Sequence, residues 1–349
     1  MGTVALEFYG GIKLLKWAGM PLFANLSLGL LFAFICGAFT VSGGLRGIAR
    51  ADIFMDCVTL SATCIIGFYL INSPLPPVGT PAAVTTPPAS GFDVAFVVGM
   101  ALIFLPFQVC VLDSWQRCSA WTKAGQSPKK WLIPGAVLLV LAYSVPIFVG
   151  AQLRAAGTPV PPDSHPLLAY LQAVGIPKVL IGIVFAGFIC AIFSTADELL
   201  NCCSLSFLFD FLSIPLSDTS RTDAQESRLA NSGRFYTGAA AALAAVIGAA
   251  CIHFERKISD LAVGLFSAQV AFMIPLLIAV FRPLAAPRFS LAAISAVLAA
   301  LATAVITVVA GWIKHDKDLT DMAPIFSLIA AVAFFAIPAA SKLLQERKP

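Results

Sequence analysis

Of 349 residues, 59% are hydrophobic and only 11% are Asp, Glu, Lys or Arg, with a mean hydropathy of +0.91, whereas soluble domains carry roughly 25% charged residues. That balance excludes a soluble globular fold, and apolar runs that do not alternate with polar residues exclude a closed β-barrel. The formal charge of +4 reflects basic loops beside a lipid bilayer and does not point to a nucleic-acid partner.

Residues 1–19 are too short for a full crossing and carry Glu7, Lys13 and Lys16. They lack the basic start and small-residue cleavage site of a signal peptide. They are expected to be the outer half of a helix whose inner half is missing, or else an interfacial amphipathic helix. Apolar stretches then follow at 20–42, 53–72, 92–113, 131–153, 179–208, 235–254, 259–281, 289–312 and 322–341. At about 20 residues per crossing these predict nine full spans, hence an all-α polytopic transmembrane helix bundle.

The Pro-rich stretch 73–90 and the segment 157–177 are the longest connections on one side, and 210–234 is the longest polar one. Assigning Lys and Arg to alternate loops puts 14 of the 22 on one side and 8 on the other. The positive-inside rule then places the C-terminus in the cytoplasm. The nine cysteines lie in apolar runs or at their ends, and none has zinc-finger spacing, so they are read as buried thiols.

In hydrocarbon, ionisable side chains and broken helices persist only where they line a cavity or another helix, so polar residues inside spans are the candidates for function. Span five carries Ala191, Ser194, Thr195, Asp197, Glu198 and Asn201. Ser194 lies three residues after Ala191, so its hydroxyl and the Ala191 carbonyl share a face, with the Thr195 hydroxyl beside them. Such neutral oxygens suit a hard monovalent cation. The competing reading is that both hydroxyls bond back to carbonyls of their own helix.

Asp197, Glu198 and Asn201 fall toward the far end of that helix, where they are either hydrated or part of a gate. Asp52 and Asp56 open span two, where helix capping explains at least one of them and a gate pair of Asp52 with Arg46 or Arg50 is the other reading. Pro106 in span three frees backbone carbonyls near mid-membrane, ahead of Asp113, Gln116 and Arg117. Gly238, Ala242, Ala245, Gly248 and Ala249 form a small-residue face for close helix packing. His165, His253 and His315 are too scattered for a metal site, and no hydrolase, metalloprotease or P-loop motif appears, so an enzyme is not expected.

Three separated stretches together resemble the sodium:solute symporter family. Residues 43–52, Gly-Gly-Leu-Arg-Gly-Ile-Ala-Arg-Ala-Asp, are similar to its Gly-Gly-Leu-x-Ala-Val-x-Trp-Thr-Asp turn. Gln116, Arg117 and Ala120 look like its Gln-Arg-x-x-Ala motif. Residues 191–201, Ala-Ile-Phe-Ser-Thr-Ala-Asp-Glu-Leu-Leu-Asn, look like its Ala-x-Met-Ser-Thr-x-Asp-Ser-x-Leu-Asn helix, the most specific of the three.

The resemblance implies a LeuT-type core of ten helices in two inverted halves, covering residues up to about 281, with two additional helices over 289–341. It implies sodium binding by the Ala191 carbonyl and the Ser194 and Thr195 hydroxyls, and coupling or gating roles for Asp52, Arg117 and Asp197. Ala51, Asp56 and Glu198 depart from the family pattern. Met1 falls within what matches the third core helix, so the core is expected to be incomplete at the N-terminus, with another membrane subunit as one source of the missing helices.

The implied function is symport of a small organic solute with Na⁺ across the cytoplasmic (inner) membrane by alternating access, without a cofactor other than the coupling ion. The alternative is a non-transporting sensor or partner-binding module built on the same fold.

Overall fold

A chain this apolar must pair its peptide groups internally, and a helix does so within one segment. The computed structural model describes residues 2–17, 25–73, 97–103, 112–158, 166–208, 222–254, 258–281 and 289–346, with positions 75, 94 and 160, and among these there is no β-strand. Among the described residues, seven helices are long and apolar enough to cross a membrane, or eight if one bent pair counts as a single span. The chain is a multi-pass helical membrane protein. Eight of the nine predicted spans therefore have a helical counterpart. The ninth, 92–113, and its Pro106 lie mostly outside the described residues.

The chain divides into two compact units, the first comprising residues 1–84 and 119–255 and the second 85–118 and 256–349. In order, the helices are α1 (Gly2–Trp17), α2 (Asn25–Asn72), α3 (Leu112–Lys123), α4 (Lys129–Ala155), α5 (Pro166–Ala173), α6 (Lys178–Ser206), α7 (Asp223–His253), α8 (Ile258–Val270), α9 (Met273–Phe281), α10 (Ser290–Lys314), α11 (Lys317–Asp321) and α12 (Ala323–Glu346).

Helix α2 sets the geometry of the first unit. Its 48 residues are helical throughout, yet it cannot be straight. The Phe32 ring packs on Phe193 of α6 at 5.2 Å between centroids, while the Thr59 hydroxyl donates to the Gly187 carbonyl of α6 at 3.1 Å. Phe193 and Gly187 are about 9 Å apart along α6, but a straight helix would separate Phe32 from Thr59 by about 40 Å. The chain therefore doubles back between Phe32 and Thr59, giving two span-length limbs, Asn25–Ser42 and Gly47–Asn72. Both limbs lie against α6.

The first limb, α1, α6 and α7 share a core of Val4, Phe8, Phe32, Cys36, Leu200 and Ala245, among others. Helix α7 admits its neighbours through small residues: a Cβ on Gly248 would stand 3.0 Å from the Ala5 carbonyl oxygen of α1, and one on Gly29 would stand 3.1 Å from the Ala245 carbonyl oxygen. The buried stripe of α7 is Thr237, Ala241, Ala244, Ala245, Gly248, Ala249 and Ile252. The predicted face was right at Ala245, Gly248 and Ala249, but Gly238 and Ala242 are exposed, because small residues occur all round this helix and composition alone does not fix its rotation.

Helix α7 also begins at Asp223, twelve residues before the predicted span. Thr222 and Gln225 form a capping box, with Gln225 N–H donating to the Thr222 hydroxyl and Thr222 N–H to Gln225 Oε1, a start signal that the charge-free window ignored.

A second core joins the end of α2 to α4, α5 and α6 through Ile66, Val149, Leu153, Tyr170, Leu171 and Val184, and the Gln152 amide donates to the Leu70 carbonyl at 2.9 Å. Outside these contacts α4 is almost wholly exposed. Large apolar side chains such as Phe34, Ile53, Ile71 and Ile147 cover the unit's exterior, a surface suited to hydrocarbon and not to water. The same logic corrects the cysteine reading: Cys36 and Cys202 are buried, but Cys57 and Cys64 are exposed, since an apolar run in a membrane helix turns one face to lipid.

In the second unit α8 and α9 bend by 40° at their junction. Ala292, Ala296, Ala300 and Ala304 line one stripe of α10, against which α12 packs. The fully buried Ser327 hydroxyl of α12 lies 3.2 Å from the carbonyl oxygens of both Ser267 and Ala300. Asp321 is buried but receives Lys317 Nζ at 2.6 Å.

Candidate functional site

The residues singled out in span five lie on α6, a helix of 29 residues, about 44 Å long against a hydrocarbon thickness of about 30 Å. The Ser194 hydroxyl does not bond back to its own helix. It donates to Asp52 Oδ1 of the second limb of α2 at 2.8 Å, a contact between residues 142 positions apart. Asp52 lies within the helical α2, and its carboxylate accepts across to α6, a side-chain bridge between two spans.

Thr195 behaves differently. Its hydroxyl donates to the Ala191 carbonyl at 3.0 Å, the back-bond common in membrane helices, and its side chain is exposed. One step along a helix turns the side chain by about 100°, so Ala191 and Thr195 share one face while Ser194 faces α2. The structure thus brings Ala191 and Thr195 together and gives Ser194 another partner. Arg117 lies on α3, but its side chain, like those of Asp113 and Gln116, falls outside the described residues, as does the side chain of Arg46.

Asp197 sits one turn beyond Ser194. It is 2% exposed, and its Oδ1 has no hydrogen-bond partner among the described residues. The hydrated-end reading of this residue is corrected by that burial: α6 continues to Ser206, about 14 Å further, and the helices of the first core close over it. Asp52 lies within electrostatic reach of Asp197. Cys36 of the first limb, 1% exposed, is within reach of both Asp197 and Glu7 of α1. Glu7, which the sequence marked only as a charge in a short helix, is half-buried on α1. The signal was present, since an ionisable residue flanked by Val4, Ala5 and Phe8 on an apolar helix is not placed there for water.

An ionised carboxylate in hydrocarbon costs about 3 kcal/mol even on permissive insertion scales. A carboxyl buried at this depth is therefore a costly placement. Among the described residues no three His, Cys, Asp or Glu side chains converge closely enough to hold a metal ion, so a multi-carboxylate metal centre is not built here. What is built is a set of oxygens on two faces of one membrane helix: Ser194 bridged to Asp52, Thr195 bonded to the Ala191 carbonyl, and Asp197 between the packed helices.

Apart from this region, Tyr170 is completely buried and its hydroxyl has no partner among the described residues. Burial raises its phenol above the ordinary range. Compared with models of protein families, with curated proteins and with solved structures, the chain matches none.

Proposed function

We propose that this protein is a sodium-coupled secondary transporter of a small organic solute, with the ion held on α6 by the Ser194 and Thr195 hydroxyls and the Ala191 carbonyl. The observation that carries the reading is the Ser194 to Asp52 bridge at 2.8 Å, one helical turn from a buried, unpartnered carboxyl. A bundle with no polar task would fill these positions with Leu or Ala. The three motif stretches that resemble the sodium:solute symporter family add to it, and with them come the LeuT-type core, the cytoplasmic C-terminus and the inner-membrane location.

The Thr195 to Ala191 bond at 3.0 Å engages two of these oxygens with each other. Ion entry rotates the Thr195 hydroxyl hydrogen away from that carbonyl, so both oxygens turn their lone pairs to the cation. Asp52 supplies the negative field that attracts it and keeps Ser194 oriented.

Equilibrium binding of radioactive sodium to the full chain in lipid nanodiscs tests this. Ser194→Ala and Thr195→Ala are each expected to weaken binding about tenfold, about 1.4 kcal/mol, for one lost oxygen ligand. Absence of saturable sodium binding, or affinity unchanged in both variants, would reject the site.

A further inference from the structure

We propose that the break between α8 and α9 is part of the solute site, where Gln269 Oε1 and the Ala271 carbonyl accept hydrogen bonds from O–H or N–H groups of the transported molecule. The inference rests on the transport reading above and deepens it by naming the class of solute.

The break follows from Pro275, which has no N–H to give the Ala271 carbonyl four residues earlier and whose ring crowds that carbonyl. Just upstream the ladder tightens to three-residue steps. The Ala271 N–H donates to the Ala268 carbonyl at 3.3 Å and the Phe272 N–H to the Gln269 carbonyl at 3.0 Å, and the axis turns by 40°. The tightening also releases the Ser267 carbonyl, and the buried Ser327 hydroxyl of α12 stands 3.2 Å from it. One freed carbonyl thus has a donor on a neighbouring helix. The Ala271 carbonyl, on a fully buried residue, has lost its helical donor to proline.

Gln269 lies beside this break but on another face of α8. A Cβ on Gly264 would stand 3.1 Å from Val308 Cγ1 of α10, and Ser267 meets α12 through Ser327, so these two residues mark the side of α8 that packs on α10 and α12. At 100° per residue Gln269 stands about 140° from Gly264 and about 200° from Ser267, turned away from both neighbours. Its Oε1 is nonetheless sealed from solvent and has no hydrogen-bond donor among the described residues. An amide oxygen held in that way destabilises a membrane helix, and leucine at this position would avoid the penalty. A ligand that brings the missing donor removes it.

From Leu261 to Phe281 the chain carries no ionisable side chain. The break therefore offers neutral acceptors, to which the C-terminal end of α8 adds partial negative charge. Broken membrane helices build binding sites from freed backbone groups of this kind. Polyols and amines carry the O–H and N–H groups that match them, whereas a solute without such a hydrogen does not.

Thermal unfolding of the full-length protein in lipid nanodiscs with sodium tests the assignment. The probes are glucose, myo-inositol and ethanolamine, with glycine betaine as a solute that has neither O–H nor N–H. At least one of the first three should raise the unfolding midpoint, and glycine betaine should not. Gln269→Leu and the near-isosteric Gln269→Met should each weaken the apparent affinity for that probe about tenfold. Their ligand-free midpoints should equal or exceed that of wild type, and their sodium binding should be unchanged. Two apolar replacements keep the test decisive if one of them fails to fold.

Probe affinity unchanged in both variants overturns the assignment to Gln269 and leaves the transport reading standing. Ligand-free midpoints lowered in both make Gln269 a structural residue and overturn it as well. Glycine betaine that stabilises as strongly as the other probes overturns the acceptor chemistry. No response to any probe in a protein that binds sodium overturns the solute class alone, and the same result in a protein that binds no sodium overturns the transport reading with it.

Discussion

Replacing Gly187 by alanine puts a methyl carbon where the second limb of α2 packs directly against α6. A Cβ at Gly187 would stand 2.4 Å from the Ala62 Cβ, 3.3 Å from the Val58 carbonyl oxygen and 3.5 Å from the Thr59 Cα. Methyl carbons rest at about 3.5–4.0 Å, so α2 and α6 must part by more than about 1 Å. Neither neighbour is a flexible side-chain tip that can swing away.

The separation takes the Thr59 to Gly187 hydrogen bond from 3.1 Å beyond bonding range, a loss of about 1 kcal/mol. Overpacking of this kind adds about 1–3 kcal/mol. The expected total of about 2–4 kcal/mol corresponds to a fall of about 3–5 °C in unfolding midpoint, read by thermal unfolding in detergent micelles. Ala62→Gly removes the colliding methyl, so the double variant should recover most of the loss, although Ala62→Gly alone costs about 1 kcal/mol in helix propensity. The coupling between the two sites in a double-mutant cycle is the decisive quantity. If Gly187→Ala is as stable as wild type, or if Ala62→Gly does not rescue it, the second limb does not meet α6 at this point and the folded-back α2 is wrong.

Two further outcomes follow from single side chains and a third from the distribution of basic residues. Tyr170→Phe removes a buried hydroxyl that has no partner and should leave the unfolding midpoint unchanged or raise it, by up to about 1 kcal/mol; a loss of that size would show a partner for the hydroxyl. Ser327→Ala deletes the hydroxyl shared between the Ser267 and Ala300 carbonyls and should cost about 1 kcal/mol, seen in the same assay. A C-terminal green fluorescent reporter should fluoresce in bacterial cells while a C-terminal alkaline phosphatase stays inactive, as the 14 to 8 bias of Lys and Arg requires; the reverse pattern would invert the topology.

The spans were legible because an 18- to 25-residue apolar run has few other uses, and every described span falls where such a run does. Rotation about each helix axis was not legible. On α7 the alanines and glycines are spread all round the helix, so the sequence placed the packed face one residue away from Thr237 and Ala241. The start of α7 was missed although Thr222 and Gln225 announce it, because hydropathy windows discard polar helical turns.

At the site, the sequence singled out Ser194, Asp52 and Asp197 separately, since each is a polar group at a costly depth. It could not pair Ser194 with Asp52 across 142 residues, because that bond depends on α2 doubling back, and nothing local in either segment encodes its partner. Local competition did decide Thr195, whose bond to Ala191 is the same-helix option open to any threonine in a membrane span.

The central claim is that this bundle moves a solute with sodium, and the most direct test is accumulation. Purified protein reconstituted into liposomes is given an inward sodium gradient in the presence of a mixture of small organic solutes, and the contents are identified by mass spectrometry. The account predicts that at least one solute accumulates only while the gradient is maintained, and that Ser194→Ala requires more sodium for the same uptake. Folded, sodium-binding protein that concentrates nothing under the gradient would contradict it and favour a sensor or partner-binding role.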